Sequence, residues 1–304
     1  MSRTVWIAVF VGIIALGLGA AAVTAVVTGG DGSVTTTAAT TTTSSASTFE
    51  LPLGLEDGTL ALAAHRRDLL VGIAARPGGP VEVAAIRAEN PVDGNALQVA
   101  VDGRAVEAQS CGRGCSRVQA RVLDGRPSVV TVRAGSSPVS FRLPRSLPPS
   151  GGRALDRARR TMGALRSYRF TERLSSGGGI VFTRLKVQAP DRLSLRTNNG
   201  FRSVIIGRKR WDFHDGRWEG GPFPGVAVRE VLMWYDARNP RVLRRLPNGD
   251  VVLTAYGLKP VPAWFRLTVE PSGRVVEAEM TAPSHFMLHR YSDFDHGGAI
   301  VPPQ

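Results

Sequence analysis

Three residues near the C-terminal end, His285, Met287 and His289 in the run HFMLH, alternate along the chain. On an extended strand that alternation projects all three side chains from one face. Imidazole and thioether together make a copper-type donor set, because soft sulfur favours Cu(I) and imidazole serves several metals. Alternate residues on a strand stand about 6.5 to 7 Å apart, so all three grip one ion only with a bend or outside ligands. The competing expectation is structural, with His285, Met287, His289 and Tyr291 on one face of a barrel strand and Phe286 and Leu288 on the other.

A second group is aromatic. Four of the five tryptophans, Trp211, Trp218, Trp234 and Trp264, fall within residues 211–264, close to Phe213, Phe223, Tyr235, Tyr256 and Phe265. Tryptophan joins a large apolar area to one donor, which suits the mouth of a lipid cavity as well as an ordinary core. Trp211, Trp218, Phe223, Trp234 and Trp264 are therefore the candidate ligand contacts, with Trp234 foremost. His214 lies among Asp212, Asp215 and Glu219, an arrangement that serves either a metal or a solvated hairpin tip. Cys111 and Cys115 sit in CGRGC, where Gly112 and Gly114 let the chain turn tightly. An even pair of this kind outside the cell oxidises to a disulfide, and the C-x3-C spacing without a second ligand pair disfavours a metal site. No G-x-S-x-G elbow, H-E-x-x-H motif or phosphate-cradling glycine loop occurs, so no enzyme is expected and no cofactor beyond copper in the metal alternative.

The elements that must position these residues are mostly strands. Between Phe49 and Leu147 short runs such as DLLVGIAARP, VEVAAIRAEN and PVSFRLP are punctuated by turns, with Asp102-Gly103 and Asp124-Gly125 as hairpin or turn signals. About seven strands over about 100 residues predict a small β-sandwich of immunoglobulin type, spanning 49–147. PRSLPPSGG, residues 144–152, marks a boundary. Leu155, Ala158, Met162 and Leu165 then form one apolar stripe, predicting a helix over Arg153–Ser167 with arginines on its other face. Strands resume as an antiparallel meander to Phe294, with turns at Gly177–Gly179, Asn199-Gly200 and Asp215-Gly216. GPFP at 221–224 breaks it, and Val226–Tyr235 is read as a short helix or lid. The fold class is thus mainly β with an α+β part.

At the other end, Val5–Thr28 is an uncharged run long enough to cross a hydrocarbon core of about 30 Å. Arg3 before it and Asp31 after it place the N-terminus in the cytoplasm and the rest outside. The segment 1–30 is read as a transmembrane anchor, with a cleaved signal as the alternative, since either exports the chain. Residues 33–48 hold 12 Ser or Thr among 16, a stretch with nothing to bury. Residues 31–48 are therefore read as a disordered tether, at most about 60 Å long when stretched. The formal charge of +13 belongs to the exported part, and it favours anionic lipid or cell-wall polymer over nucleic acid, for which no motif is present.

From Arg153 to Phe294 the order of helix, hairpin, Pro190-Asp191-Arg192-Leu193, VIIGRKRWDFHDGRWEG, break and paired strands resembles the LolA/LolB and mycobacterial LppX/LprG superfamily of lipoprotein and lipid carriers. That resemblance implies a curved sheet closing half-way around a helix over residues 153–304, with an apolar cavity. The tail PAWFRLTVEPSGRVVEAEMTAPSHFMLHRYSDF, and the first region from DLLVGIAARPGG through CGRGC to VSFRLP, resemble extracytoplasmic C-terminal segments of actinobacterial copper-resistance proteins of the CopC/CopD type. Here the multi-span copper transporter is missing, and Phe49 stands where a CopC-type site would use an N-terminal histidine. The leading expectation is a single-pass, membrane-tethered extracytoplasmic protein holding a lipid or amphipathic small molecule. Accessory copper handling through His285, Met287 and His289 is the alternative, and a structural or partner-binding module of the cell envelope the third.

Overall fold

The computed structural model describes residues 58–304, apart from 88–89, 113, 177–178 and 258–261. The anchor and tether read from the sequence lie outside the described residues, among which no helix is long and apolar enough to cross a membrane. The described strands before the helix are β1 (Leu60–Arg66), β2 (Leu69–Ala75), β3 (Val81–Arg87), β4 (Asn90–Pro91), β5 (Leu97–Val101), β6 (Arg104–Val106), β7 (Ala108–Gly112), β8 (Cys115–Val118), β9 (Ser128–Ala134) and β10 (Ser137–Leu143). After α1 (Gly152–Gly163) come β11 (Ser167–Ser176), β12 (Gly179–Gln188), β13 (Arg192–Thr197), β14 (Arg202–Ile206), β15 (Lys209–His214) and β16 (Arg217–Pro222). A 3-10 turn (Val228–Val231) precedes β17 (Arg238–Arg245), β18 (Val251–Gly257), β19 (Ala263–Val269), β20 (Val275–Ala282) and β21 (His285–Ser292).

Two sheets pack face to face in the first part. One runs β1-β2-β3-β8-β7 with β4 paired to β3, and the other β10-β9-β5-β6. Their shared core joins Val71, Ile73 and Val83 to Val99, Val130, Val132 and Phe141. The Cys111–Cys115 disulfide closes the β7–β8 hairpin, as the spacing implied. Ten strands stand here in place of the expected seven. β4 and β6 are too short to carry a periodic signal, and β1 (LALAAHR) has neither β-branched residues nor clean alternation.

The second part is one eleven-stranded antiparallel sheet ordered β16-β15-β14-β13-β12-β11-β21-β20-β19-β18-β17. It stays open, with β16 and β17 as its two edges. Helix α1 lies on one face and buries Leu155, Ala158 and Met162 beneath it, so the helical stripe reads as expected. Its N-terminus is seated by Gly151, where an added Cβ would stand 2.8 Å from Leu253 Cδ2.

The first part covers the opposite face of the sheet around β18–β20. Thr254 Oγ1 donates to the Ala61 carbonyl at 2.8 Å, and Asn239 Nδ2 to that of Thr59 at 3.0 Å. Strand β2 is buried on both faces for this reason: Leu69, Val71, Ile73 and Ala75 join the sandwich core, while Leu70, Gly72 and Ala74 turn to the large sheet. Trp264 lies against Gly72 so closely that a Cβ there would overlap its six-membered ring. At the rim, His65 stacks on Phe286 with ring centroids 3.7 Å apart.

Two outcomes follow from this interface. Gly72→Ala forces Trp264 out of its seat and lowers stability by about 1 to 3 kcal/mol, the usual cost of overpacking. Chemical denaturation is the measurement, and adding Trp264→Leu to Gly72→Ala recovers part of the loss. The His65 imidazole is held below its ordinary value of 6.5, by burial first and by the Arg173 charge next. The folded state therefore binds fewer protons than the unfolded one between the two values. The interface contribution is present above 6.5 and lost as pH falls through that window, shallowly because the ring edge stays wet. Denaturation midpoints measured from pH 7.5 to 5 show this slope flattened in His65→Phe.

Candidate functional site

Registers across the large sheet define an inner face, the one bearing α1. On β11 it carries Tyr168, Phe170, Glu172 and Leu174, and on β21 His285, Met287, His289 and Tyr291. The parity expected for HFMLH is thus observed. Next to them stand Val187, Leu193 and Ile205 from β12 to β14, all nearly inaccessible to water. A helix of 12 residues is about 18 Å long, whereas eleven strands span roughly 50 Å, so α1 cannot cover this face alone.

The remaining cover is the connection between the two edge strands. Residues 223–237 run as a strap across the inner face, and the short helix or lid expected there is a single 3-10 turn within it. Leu232 and Trp234 are buried beneath it, with Trp234 wholly inaccessible. The strap hangs on few bonds. Tyr168 Oη donates to the Val228 carbonyl at 3.3 Å and Trp234 Nε1 to Tyr291 Oη at 3.3 Å. Arg159 of α1, read from sequence as one of a solvated set, instead donates to the Tyr235 carbonyl at 2.7 Å and to that of Ala237.

From Trp234 a line of polar groups runs into the apolar interior. Indole nitrogen only donates and a carboxylate only accepts, so the His289 tautomer carrying its hydrogen on Nε2 fits both neighbours. Tyr291 Oη accepts from Trp234 and is 3.2 Å from His289 Nδ1, to which its own hydrogen points. His289 Nε2 then donates to Glu172 Oε2 at 2.8 Å, and Thr183 Oγ1 to Glu172 Oε1 at 3.4 Å. His289 and Glu172 are 3% and 6% exposed, so the bonds within the line stand in for water at both groups. Burial is the main cause that pushes the Tyr291 hydroxyl up, with Glu172 adding to it against the Trp234 bond, and Tyr291 stays a donor.

The candidate metal residues fit copper poorly. Both ring nitrogens of His289 are engaged, so it ligates an ion only by giving up Glu172 or Tyr291. His285 Nδ1 faces the Pro283 carbonyl at 3.0 Å. Among the described residues no group of three or more His, Cys, Asp or Glu is arranged around a metal position. Near His214, Asp212 pairs with Arg210 at 2.8 Å in a half-buried setting and Glu219 with Arg217 at 2.9 Å in an exposed one.

The five candidate aromatics do not line one surface. Trp234 is on the inner face and Trp264 in the interface with Gly72, while Phe223 opens the strap under Arg210 at 5.9 Å. Trp211 and Trp218 point outward, because alternation inverts at β15: Arg210, Asp212 and His214 share the inner side with Ile205 and Ser203. Glu172, the centre of the polar line, was missed. Its signal was the parity of YRFTERL, which sets a carboxylate between Phe170 and Leu174 on the apolar side.

The open sheet, one small helix and the internal strap define the class: an open antiparallel sheet whose inner face is covered by a helix and a loop. No protein-family model matches the sequence, and no curated protein is similar to it. Among solved structures, LprF from Mycobacterium bovis is similar at 12% identity over 51% of this chain and 99% of that one, with a TM-score of 0.39. Lipoprotein LppX from Mycobacterium tuberculosis is similar at 12% identity over 50% of this chain and 100% of its own, with a TM-score of 0.37. A LolA superfamily protein from Nitrosomonas europaea is similar at 13% identity over 50% of this chain and 96% of its own, with a TM-score of 0.27.

Removing one member of the buried pair leaves the facing atom of the other without its partner, while the bonds to Tyr291 or Thr183 remain. Glu172→Leu or His289→Leu alone costs about 3 to 5 kcal/mol of stability, whereas the double replacement costs clearly less than the sum. A double-mutant cycle by denaturation measures the difference, and simple additivity would contradict the pairing.

Proposed function

We propose that the protein is a membrane-tethered, extracytoplasmic binding protein that holds a lipid or another apolar ligand between the sheet and the strap, without covalent chemistry. The observation that carries this reading is the strap itself. A face bearing Tyr168, Phe170, Leu193, Leu195 and Ile205 is closed over much of its width by residues 223–237 rather than by a second helix layer. Opening the strap exposes Trp234 and Leu232, and an apolar ligand entering in their place restores the burial they give up. An acyl chain entering there gains about 0.8 kcal/mol for each buried methylene.

The polar line supplies the other end of an amphipathic ligand. When Trp234 withdraws, Tyr291 Oη loses its donor and is left to meet a headgroup from within the hollow. Export and tethering rest on the uncharged run of residues 5–28 and the Thr-rich stretch after it, which keep such a hollow near the membrane where its ligand resides.

The test is mass spectrometry of organic extracts from the full-length protein, purified from membranes in mild detergent. One class of lipid is recovered in near-stoichiometric amount, and Trp234→Ala lowers its retention severalfold while the far-ultraviolet spectrum is unchanged. Protein that neither carries lipid nor takes up a fluorescent fatty acid would overturn the reading.

A further inference from the structure

The outer face of the large sheet is covered unevenly. The sandwich takes the part around β18–β20, and His65 on Phe286 marks its limit at β21. The C-terminal segment takes one margin, where the Ile300 nitrogen donates to Gln188 Oε1 and Arg192 Nη1 to the Ile300 carbonyl, both at 2.8 Å. Between these limits the outward side chains of β11–β16 form a surface of one sign. No Asp or Glu occupies an outward position on these six strands.

One cross-strand row reads Arg184, Arg196, Arg202, Phe213 and Trp218. Its neighbour reads Arg169, Lys186, Ser194, Val204 and Trp211. Among the described residues Arg169 has an acid, Asp293 at 3.2 Å, but Arg184, Arg196 and Arg202 have none. The Arg202 guanidinium lies instead over the Phe213 ring, 4.8 Å from its centroid. Lys186 is held below the usual lysine range, by burial first and by the Arg169 charge next.

Apolar groups stand out from the same surface. Phe182 and Ile180 are 52% and 48% exposed, the most exposed aromatic and isoleucine side chains of the sheet. Trp211 lies flat across Gly220, where a Cβ would stand 2.9 Å from its ring, so the hairpin holds the indole outward in a fixed pose. The inversion at β15 thus turns the apolar side of the β15–β16 hairpin away from the hollow.

The geometry points to this face as a docking surface for a bilayer containing anionic lipid. Charge complementarity selects an anionic partner, and fixed indoles with projecting Phe182 and Ile180 select an interface with an apolar interior over a hydrated polymer. The choice of a bilayer also rests on the membrane-tethered reading proposed above, which makes anionic lipid the surface at hand. Docking does not require a ligand under the strap, and it is tested apart from the carrier reading.

The experiment uses the full-length chain with Phe182→Cys carrying an environment-sensitive fluorophore, mixed with vesicles of phosphatidylcholine with or without phosphatidylglycerol. The label shifts to the blue and is quenched by brominated lipid only when phosphatidylglycerol is present. Arg184→Glu together with Arg196→Glu abolishes quenching, and neutral replacements weaken the docked state about fivefold for each charge removed. High salt reverses it in the unmutated background, so the outcome does not hang on the folding of one variant. A label that stays in water on anionic vesicles, that is quenched equally by neutral ones, or that responds only to a soluble polyanion would overturn the proposal.

Discussion

One contact governs the layout, the seating of Trp264 on Gly72. Burying an indole removes roughly 150 to 250 Å2 from water, about 4 to 6 kcal/mol at the usual coefficient. Trp264 Nε1 finds no hydrogen-bond partner there, and neither does the neighbouring Tyr256 hydroxyl. Each unmade bond costs about 1 to 3 kcal/mol, so burial still prevails, by a narrow margin. The pose is set by shape, a large ring in a hollow of Gly72 and the small residues around it. Because the sandwich is pinned at that point, it backs β18–β20 and leaves β11–β16 free on their outer side.

Inside, the same sheet tolerates a carboxylate and an imidazole far from water. They survive because the polar line has a direction at every step, from the indole donor through hydroxyl and imidazole to a carboxylate that only accepts. That line also ties the strap to the sheet. Strap and interior are therefore one mechanical unit, and whatever loosens Trp234 disturbs the hydroxyl that orients His289.

Local periodicity made much of this legible in advance. The stripe of Leu155, Ala158 and Met162 marked α1, and the alternation around His289 assigned its face correctly. Asp215-Gly216 marked the β15–β16 hairpin. What stayed hidden depends on residues far apart in the chain. Glu172 meets His289 across 117 positions, and nothing local tells Trp264 that its neighbour is Gly72. The role of β1 was illegible for a different reason: LALAAHR has no β-branched residue, and its burial fades along the strand from Leu60 to the exposed Arg66, which leaves no period to read. The aromatic cluster misled because nearness in sequence was taken for nearness in space, and the inversion at β15 separates Trp211 from Trp234.

A sheet that stays open keeps two edge strands. Strand β16 ends in Gly220-Gly221-Pro222, and β17 contains Pro240 with two breaks of register. Pro240 has no N–H to offer, while the Val242 nitrogen is already given to the Pro149 carbonyl. Neither border therefore presents a straight, regular row of donors and acceptors to a second copy. The same irregularities deny a neighbouring copy a template for stacking strand upon strand.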